Sequence, residues 1–233
     1  MKLLALDTSS DACSAAVLTD EACFSAFEIT PRAHTRLILP MIESVLKQAT
    51  LQLSELDAIA FGCGPGAFTG VRIATGIAQG LALAAHKPLM PVSTLAALAQ
   101  KAYQETKVTQ VLVGLDARMG EMYWGQYSLQ AGRMQLENAE QVLAPTSVPL
   151  PNRGQWLGVG SAWSVYADDL AEHLAAYLST TPALADYLPE AKYIAELARF
   201  AGLATALAPE LAQPVYLRNK VAQTTLERTG LSV

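Results

Sequence analysis

Two aspartates end apolar runs in a way that suits phosphate chemistry. "KLLALD" closes on Asp7 and passes into Thr8, Ser9 and Ser10, and "VLVGLD" closes on Asp116 and passes into "ARMG". A carboxylate at the end of a buried strand can hold a metal-bound water beside a phosphate. The plainer reading is a turn in which Asp, Thr and Ser side chains bond the backbone, and it is preferred for Asp7, Thr8 and Ser9. Asp116 invites the same two readings. Its loop carries Arg118, Met119 and Glu121 with one glycine, which is poor in glycine for a phosphate loop.

The second chemical signal is "FGCGPGAFTGVRIATGIAQG", residues 61–80, with Arg72 as its sole charge. A Walker A loop requires Gly-Lys-Ser/Thr, because the lysine neutralises phosphate charge, and no lysine lies between Lys47 and Lys87. Gly62-x-Gly64-x-x-Ala67 fits a dinucleotide fingerprint, but that fold needs an acid about 20 residues on. None occurs from Ala58 through Gln104, and Pro65 removes an N–H from the turn. The glycines instead form two ladders with fourfold spacing: Gly66, Gly70, Ala74 and Gly76, Gly80, Ala84. Glycine within a helix costs about 1 kcal/mol against alanine, so the ladders call for a packing reason. Two compatible reasons are the core of the chain's own domain and a helix of a second protein.

The remaining reactive residues offer less. Ile38 stands four after His34, so the paired histidines of a helical metal site are missing, and His34 reads as a cap or surface residue. No serine sits in G-x-S-x-G. Cys13, Cys23 and Cys63 lack metal or disulfide spacing. "GVGSAW" (158–163) reads as a tight strand-to-helix turn in preference to an adenine contact. "YLRNKVA" gathers Tyr216, Arg218 and Lys220; a solvated tail is the default and a contact to RNA or an acidic partner the alternative.

These residues sit in a chain of 233, comfortable for two domains of about 100 to 130 each. Charged residues are 16%, against roughly 25% in an average globular protein. So few charges suggest that another subunit covers part of the surface. The net charge of −5 argues against a chain that grips nucleic acid alone. No signal-peptide pattern opens the chain, and the charge-free stretch 73–86 is short of a membrane span. The expectation is a soluble, cytoplasmic protein.

Strands are expected over "KLLALD", "CSAAVLTD" and "CFSAFEIT", then a helix over 34–49 that Pro40 should kink or restart. "LDAIAFG" reads as a buried strand, 68–86 as a long helix, "KPLMPV" as a strand, and "STLAALAQKAYQE" as a helix with Ser93 as N-cap. "VLVGLD", "EMYWGQYSL", "MQLENAEQVL" and "QWLGVG" read as strands, with helices at about 162–178 and 188–206. The strand–Asp–turn–strand unit at 1–18 recurs 109 residues later, which suggests a duplicated domain. The pattern describes mixed α/β sheets with helical cover in each half.

"LLALDTSSDACSAAV", "RAHTRLILPMI", "GCGPGAFTGVRIATGIAQGLA", "PVSTLAALA", "LDARMGEMYWG" and "PVYLRNKVA" together resemble the TsaB (YeaZ) family, bacterial accessory proteins of tRNA threonylcarbamoyladenosine biosynthesis. Ala67 departs from the serine common in that block. The resemblance implies a duplicated actin/Hsp70-like (ribonuclease H-like) two-domain fold, divided here as 1–106 and 107–233. It implies no independent enzyme activity and no required cofactor, with weak ATP or ADP binding near Asp7, Thr8, Ser9 and Asp116 left open. The implied partner is the catalytic subunit TsaD, with TsaE joining through it, tRNA reached only through the complex, a homodimer in isolation, and no membrane. The complex moves a threonylcarbamoyl group from its adenylate to the adenosine beside the anticodon. Family docking helices map onto about 34–48 and 67–86, hence His34, Ile38, Met41, Ile42 and Val45 with Gly66, Phe68, Thr69, Gly70, Arg72, Ile73, Gly76 and Gly80. Two other functions compete: an ATP-dependent kinase of the acetate- or sugar-kinase type, and a peptidase.

Overall fold

The computed structural model describes residues 1–218; Lys220 and the rest of the expected tail lie outside them. The first sheet has the order β3-β2-β1-β4-β5, built from β1 (Leu3–Asp7), β2 (Ala12–Leu18), β3 (Cys23–Ile29), β4 (Ala58–Gly64) and β5 (Leu89–Ser93). β1, β2 and β3 are antiparallel neighbours, whereas β4 and β5 run parallel to β1. The second sheet repeats the scheme. β6 (Gln110–Asp116) pairs antiparallel with β7 (Met122–Gln130), which pairs with β8 (Arg133–Leu136), and β9 (Gln141–Leu143) also pairs with β7. β10 (Leu157–Val159) joins the other edge of β6 in parallel. The β8-β7-β6-β10 order thus reproduces β3-β2-β1-β4, as the recurring Leu-Asp unit suggests.

Period-two alternation decides which layer each strand residue joins. Leu4, Leu6, Ile59 and Phe61 face α1 (His34–Gln48) and α2 (Phe68–Ala85), while Leu3, Ala5, Ala58 and Ala60 face α6 (Ala191–Ala201). Val111, Val113 and Leu115 face α3 (Thr94–Thr106), and Leu112, Met122 and Trp124 face α4 (Ala162–Val165) and α5 (Ala167–Leu174). α3 and α6 pack against one another between the sheets.

That packing exchanges two helices across the expected division at 106/107. α3, from the first segment, lines the core of the second sheet, and α6, from the second, lines that of the first. α3 follows β5 directly, α6 follows α5 after the connection 175–190, and each amphipathic helix buries its apolar stripe where the opposite sheet offers one.

Three local expectations change. α1 runs unbroken through Pro40, because Pro40 and Arg36 lie on the exposed side and water can satisfy the Arg36 carbonyl that lost its N–H partner. The expected helix at 162–178 is two short helices, and that at 188–206 is confined to 191–201. "MQLENAEQVL" divides into β8 and β9 around a turn.

Candidate functional site

The glycine run turns from β4 into α2 directly against the turn after β1, and the two ladders separate there. A Cβ at Gly66 would lie 2.5 Å from the Ser9 carbonyl oxygen, and one at Gly70 only 2.0 Å from that of Thr8. Ala67 N–H donates to the Ser9 carbonyl at 2.8 Å, and Thr8 Oγ1 donates to the Gly70 carbonyl at 2.7 Å. The chain's own backbone therefore occupies the start of α2, where an anion would otherwise be received. Gly66, Gly70 and Ala74 form the inner ladder.

Asp7 is fully buried beneath this contact. Ser9 N–H donates to Asp7 Oδ1 at 3.0 Å, and Ser9 Oγ lies 2.9 and 3.0 Å from the two carboxyl oxygens. Burial pushes the carboxyl up to about 6, with the Ser9 hydrogen bonds pulling the other way. Gly62 is fixed by the same group: a Cβ there would sit 1.8 Å from Asp7 Oδ2. The preferred turn is what forms. Asp7, Thr8 and Ser9 are buried beneath the start of α2. Asp116 is likewise engaged, accepting from Arg118 N–H at 2.8 Å and Tyr166 OH at 3.0 Å and pairing with the Arg118 guanidinium at 3.0 Å. Its own N–H donates to Ser161 Oγ at 3.0 Å, across the tight turn of "GVGSAW".

The outer ladder differs. Gly76 and Gly80 are exposed, and a Cβ at either would meet nothing within 4 Å. Thr69, Arg72 and Ala84 share this exposure, as do Phe68 and Leu83 near the helix ends, with Ile73 and Ile77 half-buried. By length and composition α2 is apolar enough to cross a membrane; in the fold its other face, with Val71, Ala74, Ala78 and Ala82, is buried on the first sheet. Apart from Thr69 and Arg72, the outer face of α2 thus carries small and apolar side chains and is largely exposed among the described residues.

α1 corrects the expectation more sharply. Ile38, Met41, Ile42 and Val45 are buried in the first core, so their side chains cannot be docking contacts. The spacing that marked them is the inward stripe of an amphipathic helix. The solvent side of α1 instead carries Arg36, Leu39, Pro40, Glu43 and Lys47. His34 opens the helix with Nε2 2.8 Å from the Ser10 carbonyl oxygen, tied to the β1–β2 turn. Gly66 and Gly70 leave the docking set for the same reason as the α1 residues, being turned inward. Phe68, Thr69, Arg72, Ile73, Gly76 and Gly80 are brought onto one surface.

A contact missed from the sequence closes one end of that surface. The chain after α6 returns along α2: Gln79 Nε2 donates to the carbonyls of Pro209 and Ala212 at 3.1 and 3.0 Å, and Val215 N–H to that of Cys63 at 2.7 Å. Tyr216 then meets α2, its hydroxyl accepting from Arg72 Nε at 2.7 Å and its ring centroid 5.9 Å from that of Phe68. Arg218 continues to the β6–β7 turn, where it donates to the Arg118 carbonyl at 3.0 Å and pairs with Glu121. The "PVYLR" cluster was the available signal; nothing in it pointed to residues 144 positions away.

The family model described as "TsaD: tRNA N6-adenosine threonylcarbamoyltransferase" matches residues 27–226. A protein of Escherichia coli K12 named tRNA threonylcarbamoyladenosine biosynthesis protein TsaB is 43% identical, over 95% of this chain and 96% of its own length. The protein of the same name from Haemophilus influenzae is 40% identical, over 95% of each chain. The solved structure of YeaZ from Pseudomonas aeruginosa superposes with a TM-score of 0.85 at 46% identity, covering 93% of this chain and 99% of that one. The architecture is accordingly the actin-like α/β fold.

Proposed function

We propose that this chain, which belongs to the TsaB family of tRNA threonylcarbamoyladenosine biosynthesis proteins, is a non-catalytic subunit that binds and activates the threonylcarbamoyltransferase TsaD. Docking uses the outer face of α2 and the solvent side of α1, a narrower set than whole helices. TsaE joins through TsaD, tRNA is reached through the assembly, and in isolation the same face pairs two copies. The free thiols Cys13, Cys23 and Cys63 accord with a cytoplasmic, reducing setting.

The observation that carries this reading is the outer ladder. Glycine weakens a helix, yet Gly76 and Gly80 meet nothing within 4 Å among the described residues. Their lack of a side chain makes room for a neighbour whose backbone can approach closely. The kinase reading is weakened because Asp7 is enclosed with its carboxyl pushed towards the neutral form, and the peptidase reading because Cys63 and Cys13 are buried thiols pushed up to about 12.

Titrating TsaD with the wild-type chain and with Gly76→Leu tests the docking. Wild type should bind, and the folded variant should bind at least about tenfold more weakly, the factor that 1.4 kcal/mol of steric loss would give. A folded Gly76→Leu with wild-type affinity would remove α2 from the interface.

A further inference from the structure

Arg72 is the only charged side chain between Asp57 and Lys87, taking His86 as neutral, and it stands on the exposed face of α2. None of the ion pairs among the described residues includes it. Its guanidinium is nevertheless held in place. The guanidinium carbon lies 3.6 Å from the Phe68 ring centroid and 5.5 Å from that of Tyr216, and Nε is spent on the Tyr216 hydroxyl. Phe68 is one helical turn away, while Tyr216 is anchored on both sides, by Val215 N–H on the Cys63 carbonyl and Arg218 on the β6–β7 turn. Of five N–H donors, this leaves the four on the two terminal nitrogens without a partner among the described residues. A stacked guanidinium presents that edge in plane, as a carboxylate requires for a paired contact.

We infer that Arg72 is a carboxylate anchor: an Asp or Glu side chain of the docking protein engages its two terminal nitrogens, in a geometry that Phe68 and Tyr216 hold before binding. The inference rests on the docking proposal above. One fork on a chain of net charge −5 matches a single monoanion. The described cations on the β6–β7 turn beside Tyr216 are already paired, Arg118 with Asp116 and Arg218 with Glu121, so among the described residues no unpaired second cation joins Arg72 to gather a phosphate dianion. Charge complementarity therefore selects an acidic side chain of a protein.

The test is calorimetric titration of TsaD in phosphate-free buffer with wild type, Arg72→Ala, Arg72→Lys and Tyr216→Phe, each checked by circular dichroism and melting. Arg72→Gln replaces any variant that fails to fold. Loss of the anchor should weaken binding about 30-fold, as truncation of a hot-spot arginine does. Arg72→Lys should lose nearly as much, because lysine has neither the fork nor the stack. Tyr216→Phe should lose about threefold. Raising salt should cost wild type more than Arg72→Ala. Wild-type binding with Arg72→Ala within twofold of it would overturn the anchor and leave the docking proposal standing. Wild-type affinity in Arg72→Lys would overturn the fork. A deficit of Arg72→Ala that appears only after adding inorganic phosphate or ATP would assign the site to phosphate and overturn the carboxylate. Failure of the wild-type chain to bind TsaD would overturn both proposals.

Discussion

Thr8 and Gly70 bond each other in a way that leaves no room for a side chain at 70. Thr8 Oγ1 donates to the Gly70 carbonyl at 2.7 Å, and a Cβ on Gly70 would come within 2.0 Å of the Thr8 carbonyl oxygen. The turn after the first strand is thereby seated on the start of α2, and Asp7 is closed beneath it. One glycine-rich helix serves two purposes: its inner ladder builds the fold, and its outer ladder is left open.

Gly70→Ala should be badly tolerated. The obstruction is backbone on both sides, so the turn or the helix must move, at a cost of about 3 kcal/mol or more. Urea unfolding of the purified variant reads this directly; stability within 1 kcal/mol of wild type would show that the contact is looser than described.

Gly76→Ala should do the reverse. Its added methyl meets nothing within 4 Å among the described residues, so at a dilution where two copies are apart only helix propensity changes, and the monomer should gain about 0.5–1 kcal/mol. The melting temperature should rise by about 1–4 °C at this chain length. A fall at that dilution would mean that the outer face is already packed within the monomer.

Asp7→Asn should alter how stability depends on pH. The folded carboxyl titrates near 6, because burial raises it above the ordinary 3.8. The folded state therefore holds its proton where the unfolded state loses it. Asp7's contribution is fully present below about pH 4 and is lost as pH rises through about 6, a change of about 3 kcal/mol. Asparagine keeps an acceptor for Ser9 and cannot ionise, so the variant should gain on wild type by about 1–3 kcal/mol between pH 4 and pH 7.5. Parallel profiles from chemical denaturation would contradict the buried, neutral-leaning carboxyl.

Ser93→Ala should loosen α3. Ser93 Oγ accepts from Leu95 N–H at 3.1 Å and Ala96 N–H at 3.3 Å while donating to Glu140, which also accepts from Tyr127 OH. Losing the cap costs about 1–2 kcal/mol, and Glu140, already raised by burial, keeps one donor fewer. Ser93→Thr should recover most of the loss in the same unfolding measurement; a neutral Ser93→Ala would deny the cap a structural role.

The Ser93 cap was legible because a cap is local chemistry, a hydroxyl followed within three residues by helical N–H groups. The Asp7 turn and the repeated Leu-Asp unit were legible for the same reason. Ladder spacing singled out α2 as a helix with two small-residue faces, but it could not say which ladder looks outward, because that depends on where the β1–β2 turn lies. At Ile38, Met41, Ile42 and Val45 the pattern was visible and its direction was misread: apolar spacing marks the buried stripe. The Phe68–Arg72–Tyr216 stack and the exchange of α3 and α6 were hidden, since both join residues far apart in the chain through packing alone.

Whether the chain is an activating subunit is decided by tRNA threonylcarbamoylation with purified TsaD, TsaE and the adenylate-forming enzyme, with and without this chain. Modified tRNA is expected only when the chain is present, and none when the chain replaces TsaD. Full modification without the chain, or modification by the chain in the absence of TsaD, would contradict it.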